Sequence, residues 1–551
     1  MKNGILSLMD PIRIRQTHFL FVLNRNAVRN FFPGKPLWKY DNIQTADGRS
    51  AQHHGTATIL KGGDPMSMLK FLREQMNMTR TENGAATHFT TRSDCLDLFS
   101  TVGALRSATD RQIIDRFSRA WAEDRDLAVR TLFYARDVRG GLGERRVFRV
   151  LLRHLAETHP GTVRRNLRAV AEYGRWDDVL CLMGTRCEAD MIALVAGQLR
   201  EDLRHDAMDE PVSLMAKWLP SVNASDPDTV RAARRLARAL DMTEADYRKT
   251  LSRLRERIRI LENNLRTRDY TFDYATQPSR AMFVYRRAFL RNDGQRYRLF
   301  MDQVSSGKAK LHTSSLNPCD LMEQALDFRG SPAERRVLDT TWNALEDFTD
   351  GRNALCVVDT SGSMFGYGSP RPFSVAMSLG LYFAERNRGA FRNHFISFSQ
   401  HPRLIEIKGR DLVDKVQYCR SFMEVANTNI QAVFELVLRT AVAHRVPQSE
   451  MPDTLYIISD MEFDCCTADA SITNFEYART LYTRYGYRLP HLVFWNVQSR
   501  NVQQPVTRDE RGVALVSGYT PRLFQQVITN KTPYQLMLEV LNGDRYRMLC
   551  A

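Results

Sequence analysis

Leu355, Cys356, Val357 and Val358 form an uninterrupted apolar run that stops on Asp359 and breaks into small hydroxyl residues, ALCVVDTSGSM from Ala354 to Met364. A short run without polar alternation reads as a strand buried on both faces, which belongs in a parallel sheet covered by helices. Asp359, Ser361 and Ser363 follow at its carboxyl end, where open α/β sheets bind ligands. An aspartate and two serines at alternate positions offer hard oxygen donors at one point, which suits Mg²⁺ or another hard divalent ion better than zinc.

Beyond this stretch, strand and helix alternate. Helices are predicted over Phe373–Arg388, Asp411–Met423, Ile430–His444 and Ala478–Tyr485, and strands over His394–Phe398, Thr454–Ser459, Leu489–Asn496 and Val513–Ser517. Arg403–Ile407 is an edge partner, and two helices from about Pro521 close the chain. The pattern is that of a doubly wound, Rossmann-like α/β sheet.

Ahead of Asp350 helical periods dominate: Leu98, Phe99, Val102 and Leu105, then Ile113, Phe117 and Trp121, then Val147, Val150, Leu151 and Leu155. About ten to fourteen successive helices with almost no strand-like run predict an all-α, HEAT-like solenoid or ring of helical hairpins. RGGLGERR (Arg139–Arg146) lacks the GK[ST] ending of a nucleotide loop and follows a helix, so it reads as a tight inter-helix turn. Residues 1–60, broken by Pro33, Gly34 and Pro36, read as an irregular extension. His53 and His54 lie in it, and adjacent side chains point apart, a poor metal pair. The division is therefore 1–60, a helical domain over 61–350 and an α/β domain over 351–551.

The chain carries 78 Lys and Arg against 63 Asp and Glu. From Ala354 onward 21 basic residues stand against 18 acidic ones, which leaves 57 against 45 before it, so the basic excess is mostly N-terminal. An anionic partner, nucleic acid first, is the class this favours. Arg130–Arg175 holds 11 arginines and four acids, and Arg231–Arg298 holds 18 basic residues and eight acids. Arg139 and Arg145 lead into the helix after the glycines, on which Arg146, Arg149 and Arg153 share one side. Arg248, Arg255 and Arg259 share a face of a helix predicted over Thr243–Asn264. These eight arginines are the candidates for RNA contact, a solvated helix face being the alternative for either stripe.

The nine cysteines are scattered without a CxxC pair, which points to a reducing, cytoplasmic setting rather than a disulfide framework. No apolar run approaches the roughly 20 residues that span a bilayer, so no membrane role is expected.

DTSGSM, NTN at Asn427–Asn429 and ISDMEF at Ile458–Phe463 resemble the signature of a von Willebrand factor A domain. Such domains hold a divalent ion at a metal-ion-dependent adhesion site. The resemblance implies Asp359, Ser361 and Ser363 as its DxSxS positions, Thr428 as its threonine and Asp460 as its final aspartate, although the glycines that usually precede the threonine are absent. The ion implied is Mg²⁺, with Mn²⁺ and Ca²⁺ as alternatives, and an open coordination position would take a partner's carboxylate. Glu462 and Asp464 could add negative charge around the ion, exposed loop acids being the preferred reading of the two.

A helical ring ahead of such a domain resembles the Ro ribonucleoproteins, whose TROVE module binds small structured RNA and the ends of misfolded RNA. TENGAATHFTT (Thr81–Thr91), LFYARDVRGGLGERRVF (Leu132–Phe148), LMAKWLPS (Leu214–Ser221), YRKTLSRLR (Tyr247–Arg255) and QPSRAMFVYRRAF (Gln277–Phe289) are still more similar to an uncharacterised TROVE-like family. The resemblance implies a monomer within a ribonucleoprotein, with small non-coding or misfolded RNA on the helical ring. Its A domain would recruit a protein such as an RNA-processing enzyme. No nucleophile with an arranged base stands out, so no catalysis is expected. The competing reading is a protein-interaction adaptor whose metal takes an acidic partner group, without nucleic acid; a metal-dependent nuclease is a third, for which two serines are unusual ligands.

Overall fold

The computed structural model describes residues 76–551 apart from 350, 367, 399, 425–427, 465–471 and 528–530. The expectations for residues 1–60 with His53 and His54 and for Asn427 fall outside the described residues.

The first elements among the described residues are strands, β1 (Met78–Arg80) and β2 (Ala86–His88), paired as an antiparallel hairpin. Three-residue strands carry too little alternation to register in a sequence, and the helical reading passed over them. Helices follow: α1 (Asp94–Thr101), α2 (Asp110–Glu123), α3 (Arg125–Arg136), α4 (Arg146–Thr158), α5 (Pro160–Tyr173), α6 (Trp176–Val179), α7 (Glu188–Ala207) and α8 (Met215–Trp218). Then come α9 (Pro227–Ala239), α10 (Glu244–Ile258), α11 (Leu261–Thr267), α12 (Ser279–Asn292), α13 (Gly294–Ser305), α14 (Pro318–Leu326) and α15 (Pro332–Asn343).

Local chemistry starts and stops these helices. The Ser93 hydroxyl accepts from the Leu96 amide, Thr109 and Gln112 form a reciprocal capping box, and Asp124 accepts from the Leu127 amide. Arg259 sits in the left-handed region at φ +53° and ends α10 there. The single helix predicted over Thr243–Asn264 is therefore two, and Arg259 does not continue the face of Arg248 and Arg255.

The α/β part runs β3 (Ala354–Asp359), α16 (Pro372–Arg386), β4 (His394–Phe398), β5 (Arg403–Glu406), α17 (Leu412–Arg420), α18 (Ile430–His444) and β6 (Thr454–Ser459). It ends with α19 (Asn474–Arg484), β7 (His491–Asn496), β8 (Val513–Ser517), α20 (Leu523–Gln526) and α21 (Pro533–Asn542). The strand order is β5-β4-β3-β6-β7-β8, parallel except for the antiparallel edge strand β5. Every residue of β3 and β6 is buried, as their unbroken apolar runs require. Alternate residues feed two cores. Leu355, Val357, Leu455 and Ile457 pack with α18 and α19. Cys356, Val358, Tyr456 and Ile458 pack with α16 in a core that continues through α1–α10. A Cβ at Gly380 of α16 would lie 2.3 Å from Val358 Cγ2, so only glycine allows this helix its close approach to β3.

Both ends of the helical run rest on the α/β part. At the first end, Tyr134 donates to Gln526 Oε1 (3.1 Å), and Asp137 accepts from Tyr546 (2.8 Å) and from the Arg545 guanidinium. At the last, Arg335 pairs with Asp411 (2.7 Å), Arg371 with Glu323 (3.0 Å), and Gln417 donates to the Leu326 carbonyl. Arg522 bridges the two ends, donating to the carbonyls of Arg139 (2.7 Å) and Ser314 (3.3 Å). Helices α11–α13 build a smaller separate core around Tyr274, Phe289 and Tyr297.

Candidate functional site

The sequence β3–β4 proceeds to one side of the sheet and β6–β7–β8 to the other, so the order reverses between β3 and β6. That reversal opens a crevice at the carboxyl ends of adjacent strands. Asp359 ends β3 and Asp460 follows β6, so both carboxylates stand at this point, fully buried or nearly so. Burial and then the nearby Asp460 charge push the Asp359 carboxyl up from its ordinary range. Asp359 Oδ1 accepts from the Ser361 amide (2.8 Å) and Oδ2 from the Ser459 hydroxyl (2.5 Å), and the Ser361 and Ser363 hydroxyls lie 3.1 Å apart. Arg500 donates to Asp460 Oδ2 at 2.9 Å.

Of the two buried carboxylates only Asp460 thus pairs with a guanidinium, and the hydrogen-bond partners of Asp359 among the described residues are neutral. An uncompensated charge beside paired hydroxyls is a donor set that fits a hard divalent ion. Among the described residues no group of three or more His, Cys, Asp or Glu is arranged as a metal site; the donors here are two carboxylates and hydroxyls. Thr428 is buried one loop away, its carbonyl accepting from the Asp464 amide (2.9 Å).

Sequence reasoning misjudged two features of this rim. Glu462 is not an exposed loop acid: it is 1% exposed and accepts from the Glu82 amide, Asn501 and Gln503. Asp464 is half-buried and bridges to Gly84. The turn between β1 and β2 was missed altogether. Its Asn83 amide donates to Thr428 Oγ1 (3.3 Å) and the Glu462 carbonyl (2.6 Å), and the Thr81 hydroxyl donates to the Phe463 carbonyl (2.5 Å). The only trace of it in the sequence is the polar, turn-forming TENG.

The eight candidate arginines separate into two kinds. Arg145 and Arg149 pair with Asp177 and Asp178 between α4 and α6, where the buried Asp178 also holds the buried Arg136 (2.7 Å). Arg146 pairs with Asp110, Arg153 donates to the Cys181 carbonyl (2.6 Å), and Arg255 to those of Ala216 and Leu219 (both 2.8 Å). The stripe on α4 is therefore a set of ties to neighbouring helices. Arg139, Arg248 and Arg259 are exposed and carry no ion pair among the described residues.

A cleft of about 2070 Å³ lies among α8, the ends of α10 and α11, the start of α12 and the 519–522 segment. Arg255 and Arg259 are the two candidates that line it. Seven basic and six acidic side chains line the cleft, and several are already paired, Arg280 with Asp320 (2.6 Å) and Lys217 with Glu262 (3.8 Å). Aromatic side chains are interleaved: Arg175 stacks 4.4 Å over Trp218, and Phe283 and Tyr285 face the same space. Leu214 (56% exposed) and Val284 (53% exposed) leave apolar surface on its wall. The GGLG turn borders it through Gly141–Gly143 and connects α3 to α4 as an inter-helix turn.

The described cysteines are unpaired, and no described helix is long and apolar enough to cross a membrane. The crystal structure of the Deinococcus radiodurans RO (RSR) protein aligns at 15% identity with a TM-score of 0.31, covering 81% of this chain and 93% of that one. The uncharacterized protein L728 of Acanthamoeba polyphaga mimivirus is 28% identical over 508 residues, 84% of this chain and 87% of the viral protein. Two domains of unknown function match the chain in succession, DUF2828 over residues 81–191 and 189–350 and DUF7788 over 353–537. The chain is similar to each of these over the residues given.

Proposed function

We propose that this protein is a Ro-like RNA-binding protein. In this reading the helices over 61–350 form a HEAT-like ring that holds small structured or misfolded RNA. The A-type domain over 351–551 carries a divalent ion, Mg²⁺ first with Mn²⁺ or Ca²⁺ as alternatives, and no catalysis is assigned to either part. The observation that carries the reading is the cleft, which sets the stacked Arg175–Trp218 pair, Phe283 and Tyr285 beside the exposed Arg259. Aromatic platforms with nearby guanidinium groups bind single-stranded nucleic acid by stacking and phosphate neutralisation. The N-terminal basic excess supplies the long-range attraction.

At the rim of the α/β sheet, Asp359, Ser361, Ser363, Thr428 and Asp460 would hold the ion. When bound, it would offer a Lewis-acidic position to an acidic group of a protein partner, such as an RNA-processing enzyme. The purified protein should carry nucleic acid, seen in its absorbance at 260 against 280 nm. RNA affinity should fall steeply with salt; a flat salt dependence would remove the RNA reading. The near balance of charge in the cleft, with the exposed Leu214 and Val284, favours one second reading, a peptide-binding adaptor. Protein partners lost with Asp359→Ala, on a preparation free of nucleic acid, would establish that alternative.

A further inference from the structure

Arg500 touches the candidate ion site from a loop that the helical part holds in place. The Ser499 amide donates to the Ala104 carbonyl (3.0 Å), and the buried Arg116 of α2 donates to Ser499 Oγ (2.9 Å) and the Asn501 carbonyl (2.7 Å). The Arg500 side chain spans two acids, Asp460 Oδ2 at 2.9 Å and Glu82 Oε2 at 3.1 Å, and Glu82 also accepts from Asn501 (2.8 Å). Glu82 belongs to the β1–β2 turn whose Asn83 covers the Thr428 hydroxyl. One turn of the helical part therefore reaches a hydroxyl assigned to the ion and, through Arg500, the second carboxylate.

A guanidinium and a divalent ion compete for the same negative charge, and at a separation of a few ångströms inside a protein they repel strongly. Resting on the reading of this rim as an ion site, we propose that Arg500 is a built-in cation that competes with the divalent ion for Asp460, and that Glu82 latches it there. The ion enters as Arg500 withdraws from Asp460, and the hold of the β1–β2 turn on Arg500 opposes that withdrawal. The affinity of the site is thereby set by a segment of the helical part distant in the chain, the neighbouring Glu82–Glu462 contact joining residues 380 positions apart.

The test is Mn²⁺ binding to the full chain, followed by the electron paramagnetic resonance signal of the free ion. Arg500→Gln removes the competing charge and is expected to tighten Mn²⁺ binding about tenfold or more. Glu82→Gln, at a half-exposed position, loosens the latch and is expected to tighten it by a smaller factor. Asp359→Asn is expected to abolish binding. Equal affinity in wild type, Arg500→Gln and Glu82→Gln, with binding still lost in Asp359→Asn, would overturn the latch and leave the ion site standing. No Mn²⁺ bound by wild type or by Arg500→Gln would overturn the ion site, and the latch with it. If Arg500→Gln unfolds by circular dichroism, Glu82→Gln decides alone: unchanged or weaker binding overturns the proposal.

Discussion

Arg149 offers the sharpest separation of a structural arginine from an RNA-binding one. Its side chain is 27% exposed, its Nε lies 2.6 Å from Asp178 Oδ1, and its guanidinium lies 2.9 Å from Asp177 Oδ2. Asp178 is fully buried and keeps Arg136 as a second partner. Arg149→Ala removes a charge-assisted pair without stripping Asp178 of all compensation, which should cost about 2 kcal/mol. Arg149→Glu adds a third carboxylate beside two others, and the cost should rise to about 3–5 kcal/mol, as for breaking a buried ion pair. Arg259→Glu, at an exposed position without an ion pair among the described residues, should leave stability within about 0.5 kcal/mol of wild type. Urea unfolding of the three variants, followed by circular dichroism, measures these differences, and filter binding on the folded variants measures RNA retention. The expected pattern is a large stability loss at 149 and an RNA loss at 259. A stable Arg149→Glu that loses RNA would refute the reasoning, because it would make Arg149 a free contact rather than a tie between helices.

Three other outcomes follow from the geometry. Gly103→Ala would set a Cβ 2.5 Å from the Ser517 carbonyl oxygen, so the helical part must shift off β8; a stability loss of about 1–3 kcal/mol, read as a lowered urea midpoint, is expected, and an unchanged midpoint would contradict that close approach. Burial pushes the Glu144 carboxyl from 4.5 to about 7, against the pull of Arg106 and Arg136. A raised folded-state value favours the protonated form, so this contribution is present below the unfolded value and lost as pH rises through about 7. Glu144→Gln should flatten the decline in stability between about pH 5 and about pH 7.5, and parallel wild-type and variant curves would remove the effect. Trp218→Ala should weaken single-stranded RNA binding by about 1–3 kcal/mol if bases stack in the cleft, with duplex RNA little affected. Equal losses for both forms in a filter-binding comparison would count against stacking.

The α/β strands could be read from the chain because their chemistry is local. An apolar run ending on a polar turn identifies a buried strand, and β3, β4, β6 and β8 agree with that reading within a residue or two. The positions of Asp359, Ser361 and Ser363 beside one another follow from their alternate spacing within the short stretch that ends β3. The convergence of Asp460 on Asp359 does not, because it depends on β6 pairing beside β3 in parallel register, Val358 opposite Ile458. Nor could helix phase tell which arginines are free. It shows that Arg146, Arg149 and Arg153 share a side of α4, but only the packing of α4 against α6 and the α2–α3 region shows that this side faces Asp177, Asp178, Asp110 and backbone carbonyls.

The sequence by itself determined the two classes of architecture and the oxygen donors at the end of β3, since both rest on periodicity and on residues adjacent in the chain. Only the tertiary structure decided that Glu462 is buried, that Arg500 and the Glu82–Asn83 turn reach the same rim, and that both ends of the helical run close on the α/β part. Those facts depend on contacts between residues tens to hundreds of positions apart, which no local pattern encodes.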